Sequence, residues 1–322
     1  MKKEICVPPE IKQTIYDYLS WLDEIYTSKN LPIEKRPLLA ACYIIDYAFQ
    51  TPSNIGKDEL FISLLNYTYP VCVEWYYNLY GEKSIDKKLE EKLYSFVEIR
   101  GVPYRLNFPK VITQKCENNL TWMYFPETVL DDENVQGYIE DNDVIKNLNI
   151  SEKNQLLQTI IKRISYVRTI YFNTMQSDNA NKYNKELSEI NAHIEIASKT
   201  FVETYNTGIS TSIWEMFFSA ELMIKQILRD NSISFSNIHD IKKLVEKIPN
   251  DKELVQDDFF SSFPNYHDAI KYRYSELVCH NFEKAIQYYD IAMSFIFKSS
   301  KMLKRHFRFP NNRVQLRKIL NK

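Results

Sequence analysis

Arg273 and His280 stand with six residues between them in Tyr272-Arg273-Tyr274-Ser275-Glu276-Leu277-Val278-Cys279-His280, and their types and spacing point most directly to chemistry. A guanidinium can hold a phosphate through two parallel N–H donors and stabilise charge that builds on it. An unperturbed imidazole titrates at about pH 6.5, so it can accept or donate a proton near neutrality. Facing one phosphodiester, the two would cleave RNA without a metal. On a solvated helix shoulder the same residues would be a polar patch, with Arg273 bridging Glu276.

The elements that must position this pair are helices. No glycine or proline interrupts the stretch from Tyr266 to Lys298, although a break near Arg273 is compatible with the pattern. Cys279, Phe282, Ile286, Tyr289, Met293 and Ile296 recur as an apolar seam, which extends back to Tyr272 and Ser275. Seven residues come within about 20° of two full turns. In a continuous helix Arg273 and His280 would therefore share one shoulder with Glu276, Glu283 and Gln287. Upstream, Asn206-Thr207-Gly208 marks a boundary, and Ser212-x-x-Glu215 reads as a capping box. The helix it opens carries Ile213, Phe217, Ala220, Ile224 and Ile227 on one face and ends at Asp230-Asn231-Ser232. A shorter helix, Asn237 to Ile248, is expected with Ser236 as its cap and Pro249 as its stop. His239 reads there as a capping or packing residue. His267 and Asp268, just before Arg273, are placed to line the same cleft.

The first half has a different texture. Helices are expected from Pro9 to about Lys29, over Leu38–Phe49 and from Asp58, with Pro70 kinking or breaking the third. Val71–Tyr77 is aromatic and β-branched enough to leave a strand open, and Asp86–Glu98 reads as a further helix. Between Gly101 and Pro126 the pattern predicts an irregular insert or small hairpin. From Glu127 to Asp143 there are seven carboxylates and no Lys or Arg, read as a solvated acidic loop without a metal-ligand order. Ser151 is expected to cap a helix through Leu157, Ile160, Ile164, Val167 and Tyr171. A second helix, about Lys182 to Tyr205, completes a hairpin bridging the two halves; His193 on it reads as a lone surface or packing histidine.

Composition narrows the function classes. The formal net charge of −1 over 322 residues gives no global attraction to nucleic acid or membrane. Only five glycines argue against Gly-rich phosphate loops and doubly wound sheets. Five scattered cysteines suggest neither a disulfide framework nor a zinc site, so a reducing cytoplasm is the expected compartment. No apolar run is long enough to predict a signal peptide or membrane span. Charge is concentrated locally: from Lys298 to Lys322 nine residues are basic and none acidic. There Phe307 and Phe309 interleave with Arg305 and Arg308, beside Lys304, as in a surface that stacks bases and pairs phosphates. An anionic membrane surface or the acidic loop are alternative partners for this tail.

The block from about Ser210 to Ser300 resembles a HEPN domain, a helical-bundle family of prokaryotic toxins, phage-defence systems and related nucleic-acid machinery. The resemblance is carried by Ser219-Ala220-Glu221-Leu222-Met223-Ile224-Lys225, by Ile238-His239-Asp240-Ile241-Lys242-Lys243-Leu244, and by Arg273-Tyr274 followed by His280. It implies an Arg-x6-His endoribonuclease that needs no metal or cofactor and leaves a 2′,3′-cyclic phosphate and a 5′-hydroxyl. Arg273 and His280 would be catalytic. Tyr274 stands where many active members have a small polar residue and, with Lys304, Arg305 and Arg308, is expected to meet substrate. The resemblance also implies a homodimer facing one cleft. A non-catalytic HEPN module binding nucleic acid, a nucleotide or a protein partner is the alternative, and a structural helical adaptor a third. The expected architecture is mainly α. It comprises a helical region with a small irregular or β insert (1–150), a helical hairpin connector (151–207), the HEPN-like bundle (208–300) and a basic tail (301–322).

Overall fold

A computed structural model describes residues 9–48, 57–84, 92–115, 120–175, 177, 184–204, 209–235, 238–249, 254, 256–304 and 312–317. The fold is mainly α with small antiparallel sheets. The chain divides into two compact units, one of residues 1–91, 110–126 and 309–322, the other of 92–109 and 127–308. Sequence order is thus not unit order. The acidic segment and the helical hairpin belong to the same unit as the C-terminal bundle, and the end of the tail belongs to the first unit.

In the first unit, α1 (Pro9–Ser28), α2 (Arg36–Ala48) and α3 (Lys57–Tyr80) pack through Ile15, Leu19, Leu22, Ala40, Ile44, Cys72 and Tyr76. α3 runs unbroken through Pro70, so neither the expected break nor a strand at Val71–Tyr77 is found. The missing proline N–H costs one ladder bond, which burial of Val71, Cys72 and Tyr76 offsets.

The second unit begins with a hairpin, β1 (Lys92–Ile99) and β2 (Val102–Pro109), joined by Arg100 and Gly101 at φ of 53° and 82°. Two left-handed residues make the type I′ turn that matches strand twist. β1 corrects the helix expected up to Glu98. Leu93, Phe96 and Val97 imitate a helical spacing, but Phe96 and Val97 are buried on opposite faces of a strand. In the first unit, β3 (Ile112–Lys115) and β4 (Leu120–Phe125) pair antiparallel, as the extended pattern before Pro126 predicts. β5 (Asn312–Arg317) adds to β4 in the register Leu120↔Arg317 to Phe125↔Asn312, so part of the basic tail is a strand rather than a free arm.

The bundle of the second unit comprises α4 (Ile150–Met175), α5 (Asn184–Glu203), α6 (Ile209–Asp230), α7 (Ile241–Val245), α8 (Phe259–Ser262), α9 (Tyr266–Arg273) and α10 (Phe282–Ser300). The expected seams on α6 and α10 are buried at Ile213, Phe217, Ala220, Ile224 and Ile227, and at Tyr289, Met293 and Ile296. Three expected caps differ. α4 opens with a reciprocal pair, Glu152 N donating to Asn149 Oδ1 (2.9 Å) and Asn149 N to Glu152 Oε2 (2.8 Å), so Asn149 takes the role expected of Ser151. α7 is capped by Asp240, whose side chain accepts from Lys243 N, and is shorter than expected. Ser212 lies inside α6 with its hydroxyl donating to Ala197 O.

The helical hairpin is core, not connector. α5 lies along α6, α10 packs against both α4 and α6, and Phe96, Phe201 and Tyr289 form one ring cluster with centroids 4.5–5.5 Å apart. The acidic segment is not simply solvated either. Glu133, its side chain 3 % exposed, receives both arms of Arg168 at 2.6 and 2.9 Å.

Candidate functional site

The stretch bearing Arg273 and His280 is two helices with a connection between them. α9 ends at Arg273, and Ser275 takes a left-handed φ of 59°. Glu276 N donates back to Lys271 O (2.9 Å) and Ser275 N to Tyr272 O (3.4 Å), the paired bonds of a Schellman end. α1 and α6 end the same way at Asn30 and Ser232. In a glycine-poor chain, Asn and Ser occupy positions that glycine usually fills. The chain resumes at Asn281, whose side chain accepts from Lys284 N to cap α10. Cys279 N donates to Ser210 Oγ on α6 (3.0 Å), which ties the connection to the bundle. The shared shoulder expected of a continuous helix is therefore not formed: Arg273 closes one helix, and His280 precedes the next.

Arg273 turns toward α6. Its guanidinium carbon lies 4.9 Å from the Trp214 ring centroid and 5.5 Å from that of Tyr274. Among the described residues it forms no ion pair, with Glu276 or any other carboxylate. Tyr274 is 61 % exposed and Val278 47 %, so the connection presents apolar surface on either side of Ser275-Glu276-Leu277. His280 is exposed and makes no hydrogen bond among the described residues. Beside them, burial pushes the Tyr272 hydroxyl up to about 12 and raises the Cys279 thiol above its ordinary value, so neither is an anion near neutrality.

The histidine that meets Arg273 in a cavity is His193. An open cleft of about 240 Å³ is lined by His193, Thr211, Trp214, Glu215, Phe218 and Arg273. His193 Nδ1 is hydrogen-bonded to Glu215 Oε2, and the ring meets Phe218 edge-on at 4.7 Å. This contact is one rung of a series. Ser212 Oγ donates to Ala197 O and Ser219 Oγ to Ile190 O, each at 3.1 Å, with His193–Glu215 between them. Antiparallel helices meet once per turn, and the two serines, small and hydroxyl-bearing, let the backbones come close. On the sequence, His193 is a solitary histidine. Reflecting the end of α5 at Glu203 onto the start of α6 at Ile209 carries His193 to about residue 219, so it points to the right stretch of α6 but not to Glu215 itself.

The other expected contacts distribute as follows. His239 stacks on Tyr266 (5.1 Å, 11°) and bonds the buried Glu221 at 3.0 Å, where Lys225 also reaches at 2.6 Å. His267 is exposed on α9, and Asp268 N is capped by Asn265. Lys304 N donates to Asp230 Oδ2 at 3.2 Å. Lys298 pairs with Asp257, and Lys301 lies over Phe297. Arg305 and Arg308 lie outside the described residues. Among the described residues no three His, Cys, Asp or Glu gather to hold a metal ion, and no helix is long and apolar enough to cross a membrane.

The chain matches no protein-family model, no curated protein and no solved structure.

Proposed function

We propose that the second unit is a HEPN-like bundle that cleaves RNA at a site built on Arg273 and His280. One observation carries this reading. Arg273 lines a cleft with its guanidinium carbon 4.9 Å from the Trp214 ring centroid, and among the described residues no carboxylate pairs with it, which leaves its N–H fork for a phosphate. His280, seven residues further along, is exposed on the connection that Arg273 begins. In this reading Arg273 grips the scissile phosphate and stabilises its charge, and His280 transfers a proton during attack by the ribose 2′-hydroxyl. The products are a 2′,3′-cyclic phosphate and a 5′-hydroxyl. Tyr274 offers a ring for a neighbouring base, and Lys304, Arg305 and Arg308 extend the phosphate contacts. Two copies would face each other across the site.

The test is cleavage of end-labelled RNA in excess EDTA by the parent, Arg273→Ala and His280→Ala. The expected result is cleavage by the parent, with cyclic-phosphate ends, that both variants lose. Binding without cleavage would place the protein among non-catalytic nucleic-acid modules. Cleavage retained by both variants would remove this site. Size-exclusion chromatography with light scattering should return a dimer.

A further inference from the structure

We infer that His193, oriented by Glu215, is the proton acceptor of the RNA-cleaving site, and that His280 is the proton donor. The inference rests on the cleavage reading above and deepens it. In-line displacement at phosphorus places the attacking 2′-oxygen and the departing 5′-oxygen on opposite sides. One imidazole cannot serve both in a single step, so a second acid–base group is needed, from the facing copy or from this chain. The cleft holds one. A carboxylate only accepts hydrogen bonds, so in the neutral ring a proton on His193 Nδ1, donated to Glu215 Oε2, leaves Nε2 with its lone pair. That is the tautomer a base needs.

The surroundings fix this ring as they do not fix His280. His193 and Glu215 project from two packed helices, their side chains 20 % and 14 % exposed, with serine-to-carbonyl bonds one turn away on either side. Phe218 holds the ring by its edge, and Thr211, Trp214 and Arg273 complete the wall. Rigid helices give a catalytic base a defined position. His280 lies on an exposed connection, reached from solvent.

The step balances without a co-reactant. His193 Nε2 takes the proton of the 2′-hydroxyl as the O2′–P bond forms. The P–O5′ bond breaks, and O5′ receives the proton carried by the His280 imidazolium. Arg273 stays on the non-bridging oxygens throughout.

A pair of substrates separates the two roles. The dinucleotide UpA has an alkoxide leaving group that needs a donor, whereas uridine 3′-(4-nitrophenyl phosphate) releases a phenolate that does not. On UpA, both His193→Ala and His280→Ala should be slower than the full-length parent by about 10²–10⁴-fold. On the aryl ester, His280→Ala should recover to within about tenfold of the parent, while His193→Ala stays at its full loss. His193→Gln, which keeps a hydrogen bond to Glu215, replaces the alanine variant if circular dichroism shows that variant unfolded. Parent-like rates for the His193 variant, with Arg273→Ala and His280→Ala inactive on UpA, would overturn this inference and leave the cleavage reading standing. Recovery of the His193 variant alone on the ester would reverse the roles and overturn the assignment. A parent that cleaves neither substrate would remove both readings.

Discussion

Arg163 and Arg168 on the hairpin side of the bundle, and Arg273 at the cleft, all lie against aromatic rings, but the protein uses them differently. Arg163 sits 4.2 Å from the Phe96 centroid and donates to Phe96 O (2.6 Å) and Asp290 (2.9 Å). Arg168, 0 % exposed, clamps Glu133 and reaches Pro109 O at 3.2 Å. Both terminal nitrogens of each guanidinium are bonded within the protein, and they tie α4 to the hairpin and to the acidic segment. Arg273 has the same aromatic support without a carboxylate among the described residues. An arginine whose fork is filled holds a fold together, whereas one set against rings alone keeps its donors for a ligand.

That contrast can be broken in order of effect. Arg168→Ala leaves Glu133 buried without its cation and should cost about 3–5 kcal/mol in urea unfolding. A loss below about 1 kcal/mol would show the Arg168–Glu133 pair to be worth no more than an exposed surface pair. Arg273→Ala should cost at most about 1 kcal/mol of stability, the scale of an exposed cation–π contact, while lowering RNA cleavage by about 10²–10³-fold. Equal damage to stability and activity would erase the distinction between the two sites. Asn149→Ala removes the cap of the helix that carries Arg163 and Arg168, and should lower the unfolding free energy by about 1 kcal/mol.

Smaller effects sharpen the account of the connection after Arg273. Ser275→Gly relieves a left-handed residue at about 1–2 kcal/mol but frees the unfolded chain by about 0.5–1 kcal/mol, for a net gain of about 0.5 kcal/mol. A net loss would mean that the serine makes a contact outweighing its backbone strain. The smallest effect is a pH dependence. Hydrogen bonds from Arg100 first, then from Asn149 N, hold the Glu152 carboxyl below its ordinary range. Its contribution is therefore present above the unfolded value of about 4.3 and fades as pH falls through the lowered folded value. The gap in urea midpoint between the parent and Glu152→Gln should narrow on acidification; a gap that widens would contradict this sign.

Where reading from sequence succeeded, local physics was sufficient. The apolar spacing of α6 is buried as expected, as is the second half of the α10 seam (Tyr289, Met293 and Ile296), because a helix of that pattern has only one face to hide; Phe282 and Ile286 are half-buried. The segment before Pro126 is extended as its β-branched and aromatic residues require. It misled where local signals were degenerate. Leu93, Phe96 and Val97 have a helical spacing, and only pairing with β2 makes them a strand. The break after Arg273 contains neither glycine nor proline, and Ser275 and Asn281 mark it only weakly.

By itself, then, the sequence determined a mainly α chain, the buried faces of its long helices and the nearness of Arg273 and His280 along the backbone. Each follows from periodicity or covalent distance. Tertiary structure alone decided that α9 stops at Arg273, that Cys279 N bonds Ser210, and that Arg273 shares a cleft with His193 and Glu215. Those outcomes depend on which helix lies opposite which. A helical pattern states which face is apolar, but the partner on a flank is chosen by packing between segments distant in sequence.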